Sequence, residues 1–268
     1  MNPKELNKLT QDVLGIAVDA GKQILDVYFG NYDVKSKSDN TPLTTADLIA
    51  NQFIIEKLKH LTASIPILTE ESSEIPYGER SKWHLYWLVD PLDGTREFIK
   101  RNGEFSINIS LISEGKPLLG VVHAPVLGIS YFASQFNGAW KVFENKPATQ
   151  IHVRRLASRK KRFTVTYGRN HTGERLKTFL SNLGNYQTVP LGSALKSCLV
   201  AEGAADIYPK LGLTSEWDTA AAQCIVEEAG GFFTDVNMQE LRYNTKESLL
   251  NPDFFVFGDA DLNWASYL

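Results

Sequence analysis

The segment that begins at Phe105 alternates strictly between apolar and polar residues, and this pattern constrains the fold more than any other feature of the sequence. Successive residues of a β-strand point to opposite faces, so an apolar face and a polar face predict a half-buried strand. The apolar positions are Phe105, Ile107, Ile109 and Leu111, and the polar positions are Ser106, Asn108 and Ser110. Further strands are predicted at residues 118–122, 129–133 and 139–143, with Pro, Gly and Asn-Gly turns between them. We therefore expect a meandering antiparallel sheet.

Two helices are predicted before this sheet. Apolar residues recur at steps of three and four from Leu6 to Val27, which indicates an amphipathic helix that ends at Gly30. A second helix is expected to begin near Thr44 or Thr45. Its inward-facing residues are predicted to be Ile49, Phe53 and Leu58. Both helices should cover one face of the sheet.

The second half of the chain has a different pattern, in which short strands and helices alternate. Strands are predicted at residues 163–167, 186–189 and 254–257, and helices at residues 174–183, 194–201 and 219–229. This order favours an α/β layer. The basic run at residues 154–162 is interpreted as a solvated connector, in preference to an anion-attracting patch. We expect an α+β protein with two subdomains, residues 1–150 with the antiparallel sheet and most ligands, and residues 151–268 completing the site.

Composition excludes some classes of partner. The net charge of -3 in 268 residues argues against a nucleic-acid polymer, which normally requires a broad basic surface. Cys198 and Cys224 lie in apolar helical patterns, which is typical of buried thiols in a reducing compartment. No signal peptide or membrane-spanning run is apparent, so a cytoplasmic location is expected. Peripheral association with the cytoplasmic face of the inner membrane and the oligomeric state, a homodimer included, stay open.

The segment Asp90-Pro91-Leu92-Asp93-Gly94-Thr95 has the composition of a cation site. It follows a predicted strand at residues 84–89, and its two carboxylates can converge on one side of a turn. The Leu92 carbonyl can join them, and oxygen ligands of this kind suit magnesium. Gly94 allows close approach to a ligand, and Thr95 lies at a predicted helix start, where backbone amides can receive phosphate oxygens. The alternative is a capped turn, because Asp and Gly are common turn residues.

Other acidic residues also lie at the ends of predicted elements. Glu70 and Glu71 follow a strand at residues 65–68, Asp218 precedes a helix, and Asp47 lies in the first turn of another. Each has a local alternative: a solvated acidic loop, an N-cap, or an interaction with the helix dipole. Taken together, they predict a site for two or three metal ions.

Three motifs resemble the inositol monophosphatase superfamily of phosphatases: Thr69-Glu70-Glu71-Ser72, Asp90 to Thr95, and Trp217-Asp218-Thr219-Ala220-Ala221. This resemblance implies a layered α/β/α/β/α fold and sensitivity to lithium. Residues 86–105 and 201–209 further resemble the CysQ-type 3'(2'),5'-bisphosphate nucleotidase subgroup, and residues 39–42 also fit it. Arg96 departs from the lysine expected there, although the positive charge is kept.

The resemblance also implies roles for individual residues. Metal ligation would fall to Glu70, Asp90, the Leu92 carbonyl, Asp93 and Asp218, which would hold two or three Mg2+ ions. Asp47 and Thr95 would orient and deprotonate the attacking water, with Glu70 counted in the catalytic group. The implied substrate contacts are Glu70, Leu92, Asp93, Gly94, Thr95, Ser193, Lys196, Glu216 and Asp218.

The implied reaction is hydrolysis of the 3'-phosphate of adenosine 3',5'-bisphosphate, a small-molecule nucleotide, to AMP and phosphate by a metal-activated water. An inositol or sugar monophosphatase on the same scaffold is one alternative. A non-catalytic nucleotide or metal sensor is another, and the presence of both Asp47 and Thr95 disfavours it.

Overall fold

Two long helices open the chain. The computed structural model describes residues 1–30, 34–36, 42–72, 74–144, 146–155, 162–169 and 173–268. Helix α1 spans Pro3–Phe29, and its first turn carries a capping box in which Asn2 and Glu5 bond to each other's backbone N–H groups. Strands β1 (Val34–Ser36) and β2 (Pro42–Thr44) form a small antiparallel ribbon that leads into helix α2 (Thr45–Leu61). Both predicted helices are confirmed.

The inward face of α2 differs from the prediction. Ile49 is 36% exposed, so its predicted inward orientation is wrong. The buried residues of α2 are Ala46, Asp47, Ala50, Ile54 and Leu58. Small side chains at positions 46 and 50 let α2 pack closely against α1 and the sheet, and this rotates Ile49 toward solvent. Among the described residues, no helix combines the length and the apolar composition that crossing a bilayer requires.

A seven-stranded sheet forms the centre of the first half of the chain. Its strands are β3 (Ile67–Thr69), β4 (Leu85–Asp93), β5 (Ser106–Ser113), β6 (Lys116–Ala124), β7 (Ile129–Ser134), β8 (Ala139–Phe143) and β9 (Thr149–Ile151). They lie in sequence order; β3 pairs with β4 in parallel, and all later neighbours are antiparallel. The predicted meander is therefore confirmed. Strand β4 continues to Asp93 instead of ending before Asp90.

Short helices connect these strands. A 3-10 helix at Glu70–Ser72 follows β3, α3 spans Tyr77–Arg80, and α4 spans Thr95–Ile99. The helix start predicted at Thr95 is confirmed.

The second half of the chain forms a five-stranded mixed sheet in the order β11-β10-β12-β14-β13. The elements in chain order are β10 (Phe163–Tyr167), α5 (Glu174–Leu183), β11 (Tyr186–Pro190), α6 (Leu195–Ala201), β12 (Ile207–Lys210), α7 (Ala220–Glu228), β13 (Phe232–Asp235) and β14 (Phe254–Phe257). Further 3-10 helices lie at Glu216–Asp218 and Trp264–Tyr267. Strand β10 is parallel to both neighbours, so the carboxyl ends of β10, β11 and β12 share one edge. Strands β12 and β13 were not predicted from the sequence.

The prediction that the strand after Phe105 is half-buried is wrong. Its polar residues Ser106, Asn108 and Ser110 are each 0% exposed, because α7 packs over β5 and β6 on the face opposite α1. The hydroxyls of these serines are satisfied internally: Ser106 Oγ donates to Asn108 Oδ1, and Ser110 Oγ donates to the carbonyl of Leu119. Hydrogen bonding within the sheet therefore allows polar residues on a covered face.

Helix α7 lies between the two sheets. One hydrophobic cluster includes residues of β6 and β7, of α6 and α7, and of β14, so the two halves share a core. The division into subdomains at residue 150 stays a prediction. Most of the predicted basic connector, residues 156–161, lies outside the described residues, as do residues 39–41.

Replacing Gly120 by alanine should destabilise the protein, because α7 passes directly over this glycine. A Cβ atom there would lie 2.2 Å from the carbonyl oxygen of Ala221, so the helix would have to move away from β6. We expect Gly120→Ala to lower the free energy of unfolding by about 1–3 kcal/mol, measured by urea denaturation. The matched control is Gly15→Ala on α1, where a Cβ meets nothing within 4 Å. That variant should gain about 0.5–1 kcal/mol. Equal stability of Gly120→Ala and wild type would contradict the close packing of α7.

Candidate metal centre

The end of β4 brings two carboxylates together. Residues three apart on a regular strand point to opposite faces, but the pairing of β4 with β5 shifts register between Asp90 and Asp93. The Leu92 N–H donates to Asp90 Oδ1 at 3.0 Å and closes the turn. Gly94 follows with φ of 95°, in the left-handed region that favours glycine. The irregular strand end therefore allows both aspartates to face one site.

A third aspartate comes from the other half of the chain. One carboxylate oxygen each from Asp90, Asp93 and Asp218 lies within 4.8 Å of the others. The 3-10 helix that ends at Asp218 orients this residue, whose carboxylate accepts the Ser215 N–H at 3.0 Å. Glu70, at the carboxyl end of β3, lines the same cavity as these aspartates and Leu92. The structure thus brings all the predicted metal ligands to one place.

Holding these carboxylates together carries an electrostatic cost. Burial raises the pKa of Asp90 well above its ordinary value, and the nearby carboxylates of Glu70, Asp93 and Asp218 raise it further. Burial also raises the pKa of Asp93, in spite of the opposing effect of Lys196. Burial, with the charges of Asp93 and Glu70, raises the pKa of Asp218 to about 8. In the absence of a cation, this cluster favours protonated carboxyl groups.

The donor set fits a hard divalent cation. Asp90 Oδ2 is buried and accepts no hydrogen bond from the described residues, so one ligand oxygen is available. Carboxylate oxygens and one backbone carbonyl are the ligand type that such cations prefer. A bound cation would also remove the repulsion among the three aspartates.

Asp47 and Thr95 form a second, adjoining group. Thr95 Oγ1 lies 3.2 Å from Asp47 Oδ1 and 3.4 Å from the Leu92 carbonyl oxygen. Asp47 is 1% exposed, and its Oδ2 accepts from the N–H and the hydroxyl of Thr44 at 2.7 and 2.5 Å. The first turn of α2 therefore holds Asp47 against the start of α4. The structure places this predicted pair in hydrogen-bonding contact.

The opposite wall of the cavity comes from the second sheet. The cavity has a volume of about 300 Å³, and Ser193 and Lys196 line it. The Ala194 N–H donates to Asp93 Oδ2 at 2.6 Å, which ties this wall to the carboxylate cluster. Lys196 is 7% exposed, donates to the Ser193 carbonyl, and lies 5.3 Å from the centre of the Tyr208 ring.

Glu216, a predicted substrate contact, lies elsewhere. Its side chain is 0% exposed and accepts the Asn244 N–H at 2.8 Å, and it is not among the residues that line the cavity. Glu216 and Asp218 are two residues apart in a 3-10 helix, which has three residues per turn, so their side chains point in different directions. The structure therefore does not bring Glu216 to the site.

Two basic residues of the cavity were missed in the sequence. Lys210, at the end of β12, is 8% exposed; burial and the charge of Lys196 lower its pKa to about 8. Arg169 follows β10 and also lines the cavity. The sequence signal for Lys210 was a basic residue at the end of a short strand, but this strand was not recognised.

Comparison with known proteins is consistent with this geometry. A sequence profile of the inositol monophosphatase family matches residues 5–256. The 3'(2'),5'-bisphosphate nucleotidase CysQ of Aggregatibacter actinomycetemcomitans is 44% identical over 257 residues, which are 96% of this chain and 95% of that protein. The protein of the same name from Escherichia coli K12 is 46% identical over 250 residues, 92% of this chain and 99% of its own. The crystal structure of CysQ from Bacteroides thetaiotaomicron has a TM-score of 0.81 at 37% identity, covering 94% of this chain and 97% of that one.

The raised pKa of Asp218 predicts how the metal-free protein depends on pH. The pKa of Asp218 is about 4 in the unfolded chain and about 8 in the folded protein. Between these pH values the folded state binds more protons than the unfolded state, so the free energy of unfolding falls as pH rises. In EDTA, Asp218→Asn should therefore unfold at a higher temperature than wild type at pH 8, by about 2 °C or more. The difference should shrink toward pH 4.

Magnesium should reverse that order, because wild type gains a ligand and the variant lacks one carboxylate. Differential scanning calorimetry with EDTA and with MgCl2 measures both effects. Asp12→Asn, at an exposed position on α1, is the control and should change neither. A lower unfolding temperature for Asp218→Asn in EDTA at pH 8 would contradict the repulsive cluster.

Proposed function

The chain belongs to the inositol monophosphatase family, and we propose that it is a magnesium-dependent 3'(2'),5'-bisphosphate nucleotidase. Its substrate would be adenosine 3',5'-bisphosphate, with AMP and phosphate as products. The relatives named 3'(2'),5'-bisphosphate nucleotidase CysQ support this proposal by their identity over most of the chain. The observation that carries it is the position of two buried lysines, Lys196 and Lys210, in the cavity of the carboxylate cluster.

Two or three Mg2+ ions would be held by Glu70, Asp90, the Leu92 carbonyl, Asp93 and Asp218. When bound, they supply Lewis-acid stabilisation of the phosphate and leaving-oxygen charges and lower the pKa of water. The chain itself fixes the ligands: backbone N–H groups of Leu92, Ala194 and Ser215 each bond one aspartate.

The attacking water would be oriented by Thr95 and Asp47. Because the Thr95 hydroxyl donates to Asp47 Oδ1, its oxygen is free to accept a hydrogen bond from water. As the water oxygen attacks phosphorus, its proton passes to Thr95 Oγ1, and the threonine proton passes to Asp47 Oδ1. The bond between phosphorus and the ribose 3'-oxygen breaks, and that oxygen takes a proton from solvent water to become the 3'-hydroxyl of AMP. Glu70 lines the same cavity and would assist in placing the water. Both cysteines are buried in the core, so no thiol nucleophile lies in the cavity.

The substrate would extend from the carboxylate cluster toward the second sheet. The scissile phosphate would lie at Leu92, Asp93, Gly94 and Thr95, where Gly94 adopts the left-handed conformation of the turn. Ser193 and Asp218 would contact the ribose side of the ligand, and Lys196 would contact its second phosphate.

The charges of the cavity favour a ligand with two phosphates. Five carboxyl groups and four basic groups line it: Glu70, Asp90, Asp93, Glu97 and Asp218, and Arg96, Arg169, Lys196 and Lys210. Once divalent cations neutralise the carboxylates, the positive charges of Lys196 and Lys210 favour an anion in the cavity. A second phosphate supplies it, whereas an inositol monophosphate does not.

Replacing Asp47 should lower the catalytic rate without preventing cation binding. Asp47→Asn removes the acceptor for the Thr95 proton, so kcat should fall by about 10²–10⁴ while magnesium still raises the unfolding temperature. Asp93→Asn should lose turnover and most of the magnesium-induced stabilisation together. Phosphate release with malachite green and calorimetry give the two readouts. Full activity of either variant would contradict these roles.

Replacing Lys210 should weaken the binding of a bisphosphate substrate and leave that of a monophosphate substrate nearly unchanged. A buried charge-assisted hydrogen bond contributes about 1.5–3 kcal/mol, so Lys210→Met should raise KM for adenosine 3',5'-bisphosphate at least about tenfold. Hydrolysis of 3'-AMP, which lacks the second phosphate, should change little. Lys177→Met, at an exposed ion pair with Glu174, is the control. An equal loss on both substrates would argue against a second-phosphate site.

A further inference from the structure

The segment that follows the aspartate motif carries a largely buried carboxylate, Glu104. Glu104 comes from the loop between α4 and β5, and its side chain is only 12% exposed. Its carboxylate accepts from Arg169 Nε at 2.8 Å, from Arg169 Nη2 at 2.6 Å and from the Gly192 N–H at 3.0 Å. A single carboxylate thus joins three loops that come from both sheets.

The third of these loops packs tightly on the backbone of Glu104. A Cβ atom at Gly192 would lie 2.3 Å from the Glu104 carbonyl oxygen. Gly192 immediately precedes Ser193 and Ala194, and the N–H of Ala194 bonds Asp93. The contact between Glu104 and Gly192 therefore links Arg169 to the loop that reaches the carboxylate cluster.

The guanidinium of Arg169 is fixed along one edge only. The bidentate bonds to Glu104 use Nε and Nη2, and Nη1 donates no hydrogen bond to any described residue. Two parallel bonds restrict rotation of the planar group. Because Arg169 lines the cavity, its face and its Nη1 edge are the parts that remain available to a ligand.

Arg169 is much more exposed than the most buried charged groups of the cavity. Asp90 is 1% exposed and the two lysines are 7% and 8% exposed, whereas the Arg169 side chain is 46% exposed. A nucleotide with its scissile phosphate at the aspartates and its second phosphate at the lysines would place its base toward the rim. The rim also exposes an apolar side chain, Leu213, at 76%.

The charge of the Arg169–Glu104 pair separates it from the lysines. The pair is neutral overall, so it adds little to the attraction of phosphate. A guanidinium held flat is instead well suited to stack on an aromatic ring and to donate to ring acceptors. The lysines are thus suited to phosphate, and the Arg169–Glu104 pair is suited to an uncharged planar group.

We propose that Arg169 is a specificity-determining residue that contacts the nucleobase and that Glu104 is its positioning residue, an inference that rests on the proposed nucleotidase function. The loop of Glu104 follows α4, so this loop would act on the ligand through Arg169.

The test compares two ligands that differ by the base. KM for adenosine 3',5'-bisphosphate and the inhibition constants of AMP and ribose 5-phosphate are measured for wild type and variants. In Arg169→Ala, KM for adenosine 3',5'-bisphosphate and the inhibition constant of AMP should rise about tenfold or more, because the base loses a stacking partner. The inhibition constant of ribose 5-phosphate and kcat should stay within about twofold of their wild-type values, because neither depends on a contact with the base. A lost contact of about 1.4 kcal/mol would instead change a constant tenfold. Arg169→Lys should behave like Arg169→Ala, because an ammonium keeps the charge and loses the planar fork.

Glu104 is tested through Arg169. Glu104→Ala should give part of the same change in KM, and the double variant should be no worse than Arg169→Ala alone. Glu104→Gln, which keeps one acceptor oxygen, should recover part of the loss. Arg242→Ala is the matched control, since Arg242 is 45% exposed, pairs with Glu240 and does not line the cavity.

Each contrary outcome has a distinct meaning. Equal weakening of AMP and ribose 5-phosphate would overturn the base contact, because the effect would then reach the phosphate or the sugar. An unchanged Glu104→Ala beside a weakened Arg169→Ala would overturn the positioning role. Wild-type protein that does not hydrolyse adenosine 3',5'-bisphosphate would overturn the proposed function, whereas active wild type with unchanged Arg169→Ala would overturn this inference alone.

Discussion

Repulsion among the carboxylates of Asp90, Asp93 and Asp218 is the constraint on which the rest of the structure depends. Three acidic groups within 4.8 Å of one another, partly or fully buried, do not stay together unless the backbone holds them. The backbone does so with one N–H donor for each aspartate, and these donors come from three separate parts of the chain. The stability of the fold thus holds together a carboxylate cluster whose mutual repulsion a bound cation would reduce.

The packing of α7 between the sheets is what makes this arrangement rigid. The helix begins directly after Asp218 and Thr219 and passes so close to Gly120 that a Cβ atom there would lie 2.2 Å from the Ala221 carbonyl oxygen. Its apolar residues belong to the cluster that joins β6 and β7 to the second sheet. Because a close-packed interior transmits small displacements, the distance between Asp218 and the strand end at Asp90 depends on this contact.

The charged groups that line the cavity are of three kinds. Buried carboxylates suit cations, buried ammonium groups suit phosphate, and a neutral ion pair at the rim suits an uncharged planar group. Residues from the two halves of the chain bond to each other around the cavity: Ala194 donates to Asp93, and Arg169 donates to Glu104. The lining of the cavity therefore combines residues from both halves of the chain.

The sequence by itself determined the features that depend on local spacing. The helix from Pro3 to Phe29, the antiparallel meander and the aspartate turn follow from periodicity and turn chemistry over a few residues. Tertiary structure decided which faces are covered: it buried Ser106 under α7 and turned Ile49 to solvent. It also turned Glu216 inward and brought Lys210 to the site. Glu104 and Arg169 are 65 positions apart, and only the packing of one sheet against the other could bring them together.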